Sequence, residues 1–219
     1  MERRMEMTGD GSHTMYVQEL DEPYHSTHGA IQESMHVFIK QGLLTVKKSS
    51  IRILELGFGT GLNALLTLTE SESRKLDIYY HAVEKYPLKE SEYRLLNFER
   101  LLSQSPGGSL QQIHSCPWGQ AAQISDRFTL FKEEADFRSM NLPANINLIY
   151  YDAFSPDKQP ELWTENVISS IAQVSECGAV LVTYSSKGIV RRTLASCGFD
   201  VQKVAGPPGK REMIKAIKR

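Results

Sequence analysis

The chain has 219 residues, 41% of them hydrophobic and 23% charged, with a formal net charge of −1. That length suits one domain with a sizeable core, and the near-neutral charge excludes indiscriminate binding to polyanions. No apolar run approaches the ~20 residues needed to span a bilayer, and the start (Met1-Glu2-Arg3-Arg4-Met5-Glu6) lacks the apolar core of a signal peptide.

Cys116, Cys177 and Cys197 are an odd count, and none sits in a C-x-x-C pair. A disulfide framework and a thiolate metal site are therefore not expected, and a reducing cytoplasm fits. Residues 1–12 are polar and glycine-bearing and read as a disordered start. From 13 to 219 the chain reads as a single domain, with 13–46 as a hairpin and helix extension ahead of the sheet. His13 to Leu20 partly alternates, as in one arm of a hairpin. Tyr24 to Gly29 is a loop. Ala30 to Gln41 predicts a helix, with Ile31, Met35, Phe38 and Ile39 on one stripe and Gly42 as its stop. His25, His28 and His36 lack a carboxylate-rich or thiolate context, so no metal site is expected.

The organising stretch is Ile51-Arg52-Ile53-Leu54-Glu55-Leu56-Gly57-Phe58-Gly59-Thr60-Gly61-Leu62-Asn63. It reads as a buried strand ending in an acid, a tight glycine turn and the first turn of a helix. Such a turn holds a nucleoside-type ligand at the carboxyl end of a strand. The dinucleotide fingerprint G-x-G-x-x-G would need a glycine at Leu62, which disfavours a nicotinamide oxidoreductase. E-x-G-x-G-x-G instead resembles the first motif of class I S-adenosylmethionine-dependent methyltransferases.

Leu76 to Val83 predicts the next strand. It ends in Glu84, an acid placed to accept hydrogen bonds from both hydroxyls of a ribose. Pro87 to about Leu102 predicts a helix. Residues 103–127, with Pro106-Gly107-Gly108 and Pro117-Trp118-Gly119, read as an irregular insertion that Trp118 pins to the body. Phe128 to Phe131 predicts a short strand followed by Glu133, Glu134 and Asp136, of which Glu134 is assigned to an adenine amine. Asn147 to Tyr151 is a buried parallel strand opening into Asp152-Ala153-Phe154-Ser155-Pro156. Glu161 to Glu176 predicts a helix capped by Gly178, and Ala179 to Tyr184 a strand. Lys187 to Cys197 is a helix ended by Gly198, and Phe199–Ala205 and Glu212–Ile217 are the last strands. The βαβ alternation predicts an α/β, Rossmann-like fold: seven mostly parallel strands, the last antiparallel.

From Lys187 onward nine basic residues stand against two acids, so a basic end follows an acidic body. Arg191, Arg192, Lys210 and Arg211 are the candidates for contact with nucleic-acid phosphates. Asp152 lies where open α/β sheets bind ligands. A carboxylate there can orient an amine through its N–H and take up the proton released on methylation. Phe154 can wall that site or stack on a base. No Ser/His/Asp or Cys/His constellation and no paired carboxylates point to hydrolysis.

ELGFGTGLN, VEKYPL, YYDAFSPDKQPELWT, TYSSKGIVRRTLASCGF and GKREMI, with YHSTHGAIQES ahead of them, resemble the methyltransferase module of the MnmC family from about Tyr16 to the end. The resemblance implies S-adenosylmethionine as cofactor and tRNA as substrate. The reaction would be methylation of a wobble 5-aminomethyl-2-thiouridine to the methylaminomethyl form. It implies the methionine end of the cofactor at Gly57–Gly61 with Glu55, Phe58 and Asn63 around it. It also implies the ribose at Glu84 beside Lys85, the adenine near Glu134 and the acceptor amine at Asp152. Tyr24, Ser26 and Glu33 would line the site. Bifunctional members continue into a flavin-binding oxidase domain that does not follow Arg219 here, so methyl transfer without flavin is expected. The alternatives are a methyltransferase or aminopropyl-type transferase acting on a small amine, and a silent S-adenosylmethionine-binding module that recognises RNA or a partner.

Overall fold

The computed structural model describes residues 1–102 and 107–219. The part of the irregular insertion at Pro106 lies outside the described residues. The expectation of a disordered start is corrected. Arg3–Met7 is strand β1, paired antiparallel with β2 (His13–Val17), and β2 pairs with the short β3 (Glu22–Pro23). The polar residues between them are partnered rather than solvated. Asp10 accepts the N–H of Ser12 at 3.0 Å and that of Gln32 at 3.0 Å, tying the turn to the first helix. The Arg3 guanidinium, nearly buried, ion-pairs with Glu92 at 3.1 Å.

Helix α1 (Ala30–Ser34) continues as a π-helical turn over Met35–Lys40, burying Phe38 and Ile39 as the predicted stripe requires. Strand β4 (Ser50–Leu56), the glycine turn, helix α2 (Leu62–Arg74) and strand β5 (Asp77–Glu84) follow. The single helix expected from Pro87 is instead two short ones, α3 (Glu90–Tyr93) and α4 (Phe98–Leu101). Asn97 breaks it: its Oδ1 accepts His13 N–H and its Nδ2 donates to Gly11 O, both at 2.9 Å, which draws the chain onto the N-terminal sheet.

The expected irregular insertion also carries structure: helix α5 (Ser109–Ser115) and strand β6 (Ala121–Ser125), antiparallel to β7 (Phe128–Glu134). Trp118 is partly buried against the core, as expected. After β8 (Ile146–Tyr151), a 3-10 turn at Pro160–Trp163 precedes helix α6 (Glu165–Val174). Strand β9 (Ser175–Thr183) begins directly after it, so Gly178 does not cap a helix. It lies within the strand at φ +83°, where the β8–β9 register shifts. Helix α7 (Gly188–Ser196) and strands β10 (Phe199–Ala205) and β11 (Glu212–Lys218) complete the chain.

Among the described residues the main sheet has eight strands, not seven, in the order β10-β11-β9-β8-β4-β5-β7-β6. The eighth is β6. Pairings from β5–β7 through β8–β9 are parallel, and β11 is antiparallel to both neighbours, as expected for the last strand. Alternate residues of the central strands feed two apolar cores. One holds Ile51, Ile53, Tyr80 and Tyr150 against α2, the other Leu54, Ile149 and Leu181 against α6 and α7. The carboxyl ends of β4, β5 and β8 come together where the strand order reverses, which is where such sheets bind ligands. No helix among the described residues is long and apolar enough to cross a membrane.

Candidate active site

The glycine turn is pinned to its neighbours through the backbone. Gly57 N–H and Phe58 N–H both donate to Val83 O, at 3.0 and 3.2 Å, and Asp152 N–H donates to Leu56 O at 3.0 Å. Gly57 has φ +89°, and a Cβ on it would lie 2.5 Å from Asp152 O. A Cβ on Gly59, at φ +50°, would lie 2.7 Å from the ring of Tyr24. Only glycine permits both the left-handed backbone and these close approaches. Behind the turn, His114 Nε2 donates to Thr60 O at 2.9 Å, and His25 Nε2 shares a 2.6 Å hydrogen bond with Thr60 Oγ1. Burial lowers both imidazoles to about 4, so they are neutral.

A cavity of about 750 Å³ opens above the turn. Glu84, at the tip of β5, accepts Gly59 N–H on Oε2 and Tyr86 N–H on Oε1, both at 2.9 Å, and so presents a fixed carboxylate to it. Asp152, at the tip of β8, accepts from Asn63 Nδ2 at 2.8 Å. The same nitrogen donates to Glu55 Oε1 at 2.9 Å. Desolvation, reinforced by Glu33, pushes the Asp152 carboxyl up to about 8. The apolar wall comes from Leu56, Phe58, Val83, Phe137 and Leu162.

The N-terminal segment and the last hairpin close over the opening. Arg3 Nε donates to Tyr24 Oη at 3.1 Å, and the Tyr24 ring stands edge-on to Phe154 at 5.1 Å between centroids. Glu22 accepts Ser155 Oγ–H at 2.8 Å, which holds the loop after Asp152. Lys210 donates to Glu33 Oε1 at 2.6 Å while lying 4.2 Å from the Tyr184 ring centroid, and Glu33 Oε2 accepts Ser26 N–H at 2.7 Å.

The structure thus brings Tyr24, Ser26, Glu33, Gly57, Phe58, Gly59, Asn63, Glu84, Lys85, Asp152, Phe154 and Lys210 to one cavity. Glu55 and Gly61 stand behind it: Glu55 is fully buried, and Gly61 starts α2 against His114. Glu134 is a correction. It is exposed and absent from the lining, where Ala135, Asp136 and Phe137 stand instead. Asp136 there is paired with Arg138 at 2.6 Å and Lys85 at 3.0 Å, which hold its carboxyl well below the usual range. Arg191 and Arg192 are on α7 as expected but line a separate hollow with Asp200 and Arg219, not the cavity edge. Arg211 is exposed beside Glu212. Glu22 and Tyr184 are site residues that the sequence did not disclose.

Residues 109–219 match the family described as S-adenosyl-L-methionine-dependent methyltransferase. The chain is 34% identical over 209 residues to the tRNA 5-methylaminomethyl-2-thiouridine biosynthesis bifunctional protein MnmC of Marinomonas sp. (strain MWYL1), covering 89% of this chain and 31% of that protein. It is 32% identical to the protein of the same name from Ralstonia nicotianae, covering 90% and 32%. It therefore spans about a third of the length of these curated relatives. Among solved structures, MnmC2 from Aquifex aeolicus superposes with a TM-score of 0.83 at 29% identity, covering 100% of this chain and 70% of that one.

Proposed function

The chain belongs to the S-adenosyl-L-methionine-dependent methyltransferase family, and from that premise we propose that it methylates the 5-aminomethyl group of a tRNA wobble 2-thiouridine. The observation that carries this reading is Asp152: a carboxylate at the tip of a central strand, fixed by Asn63 and facing the cavity that the glycine turn borders. The role named for the relatives at 34% and 32% identity, in biosynthesis of a modified tRNA uridine, supports the tRNA acceptor.

The residues present suit the cofactor. Glu84, with each oxygen already anchored by one backbone N–H, keeps lone pairs for two ribose hydroxyls. The apolar slot of Val83, Ala135, Phe137 and Leu162 beside Asp136 suits an adenine, and Gly57 with Asp152 suits the amino-acid end. When bound, S-adenosylmethionine supplies an activated methyl group whose leaving group is a neutral thioether. In its ionised form, which predominates above about pH 8, Asp152 orients the acceptor amine by accepting its N–H and takes the proton that methylation releases. Tyr24, Phe154 and Tyr184 wall the acceptor side and limit the angle of approach. Lys85 and Arg138 pair with Asp136, and Lys210 with Glu33, so the cavity itself suits an amine, and phosphate contacts fall to the basic surface outside it. Arg191 and Arg211, both close enough to Glu212 to stabilise its charge, belong to that outer surface.

The test is transfer of labelled methyl from S-adenosylmethionine to tRNA that carries aminomethyl-uridine, with fully modified tRNA as control. Label in the former alone is expected; label in neither, with cofactor binding intact, rejects the tRNA acceptor.

A further inference from the structure

Glu55 has no task in the reaction as described. It is 0% exposed and does not line the cavity, so the role of cofactor ligand does not suit its position. It does touch Asn63. One Asn63 nitrogen donates to Glu55 Oε1 at 2.9 Å and to Asp152 Oδ2 at 2.8 Å. A side-chain amide has two N–H bonds, and both go to carboxyl groups here. Glu55 Oε2, Asn63 Oδ1 and Tyr80 Oη are buried without a hydrogen bond of ordinary geometry among the described residues, the Tyr80 hydroxyl lying within reach of Glu55. The titratable groups that act on Glu55 are Asp152, Glu84 and Tyr80, and Glu55 acts in turn on Tyr150; none is a cation. An ionised carboxylate in that position would be buried without counter-charge, and burial holds Glu55 well above the ordinary carboxylate range.

We infer that Glu55 is a positioning residue for Asp152: its carboxyl oxygen fixes the Asn63 amide so that the second N–H is aimed at the acceptor carboxylate. Asn63 belongs to the first turn of α2, so one amide joins the end of β4, the helix after the glycine turn and the end of β8. The proposal rests on the methyltransferase reading only for what Asp152 does. An N–H donor stabilises the ionised form of a carboxyl. Asp152 also faces Glu33 from α1, Lys210 from the β10–β11 loop, and the hydroxyls of Tyr80 and Tyr184. Those neighbours stay in place when Glu55 is changed. Without the aimed N–H, Asp152 keeps its proton to higher pH, and less of the protein holds the carboxylate form. In the step served, the amine's lone pair forms the new N–C bond, an N–H bond then breaks with its electron pair returning to nitrogen, and the proton ends on Asp152.

The experiment uses the full chain carrying Glu55→Leu, Glu55→Gln, Asn63→Leu, or Glu55→Leu with Asn63→Leu. Two readouts need no methyl acceptor, so they stand whether or not tRNA is the substrate. One is the pH midpoint of the Asp152 carboxyl by carbon-13 NMR, assigned through Asp152→Asn. The other is the calorimetric dissociation constant for S-adenosylmethionine. Glu55→Leu is expected to raise the midpoint by about half a unit or more, with affinity kept within about threefold. Glu55→Gln keeps a carbonyl to hold Asn63 and is expected to leave both readouts unchanged. Asn63→Leu raises the midpoint, and adding Glu55→Leu to it changes nothing more. Should Glu55→Leu fail to fold, Glu55→Met removes the same acceptor and carries the contrast with Glu55→Gln. An unmoved midpoint in Glu55→Leu or in Asn63→Leu overturns the proposal. So does a shifted midpoint in Glu55→Gln, or an affinity loss of about tenfold or more in Glu55→Leu, which would make Glu55 a cofactor residue.

Discussion

Gly57 and Asp152 meet through their backbones: a Cβ on Gly57 would sit 2.5 Å from the Asp152 carbonyl oxygen. The turn that borders the cavity and the strand end that carries the acceptor carboxylate are therefore built against each other. Gly57→Ala would force a left-handed φ of +89° on alanine, at roughly 1–2 kcal/mol, and push the two strand ends apart. The expected result is a lower melting temperature together with a loss of S-adenosylmethionine affinity of about tenfold or more. Calorimetry and thermal melts check it; affinity equal to the parent would show that the contact does not position the site.

Asp152→Asn is expected to abolish methyl transfer while leaving cofactor affinity within about tenfold, roughly 1.4 kcal/mol. Its stability consequence has a definite sign. The folded carboxyl lies at about 8, above the unfolded value of about 3.9. The folded protein therefore holds a proton that the unfolded chain has released, and stability falls as pH rises from about 4 towards 8. Asp152→Asn removes that slope, which chemical denaturation at a series of pH values reads directly.

Two buried imidazoles act in the opposite direction. His25 and His114 are held neutral at about 4 in the folded chain, against about 6.5 unfolded. Their contribution is present above pH 6.5 and is lost as pH falls towards 4, by roughly 3 kcal/mol for each group. His114→Gln, which can still donate to Thr60 O, is expected to flatten the acid limb of stability by about half. An acid limb unchanged in this variant would mean that His114 is not buried neutral.

The basic surface makes a separate prediction. Arg191→Ala with Arg211→Ala is expected to weaken tRNA binding. The slope of log affinity against log salt should fall by about one for each phosphate that is no longer neutralised. Cofactor affinity is expected to stay unchanged, since neither residue lines the cavity. Equal salt slopes for parent and variant would remove these arginines from the interface.

Local patterns make part of this site legible. The glycine spacing, Glu84 at a strand tip and Asp152 at another each depend on a few neighbouring residues, and all three meet at the cavity. The sequence misplaces Glu134 for a physical reason. The expected strand ends at Phe131, yet the next side chain, Lys132, is fully buried, with Nζ donating to His114 O at 2.6 Å and lying 4.6 Å from the Trp118 ring centroid. The strand therefore runs on to Glu134, and the acid that reaches the cavity is Asp136. The Asn63 bridge and the Lys210–Glu33 pair join elements far apart in the chain, so no spacing discloses them. The ordered N-terminus is hidden likewise, because Thr8, Asp10 and Ser12 find their partners in one another and at the start of α1.

The central claim is that this cavity methylates an aminomethyl wobble uridine, and nucleoside mass analysis tests it most directly. tRNA bearing 5-aminomethyl-2-thiouridine is incubated with the protein and S-adenosylmethionine, digested, and compared with a parallel reaction using Asp152→Asn. The predicted result is conversion of that nucleoside to one heavier by a methylene, with the amine as the methylated position, and none in the variant. Methylation of a different nucleoside, or transfer to small amines with the tRNA left unmodified, would contradict it.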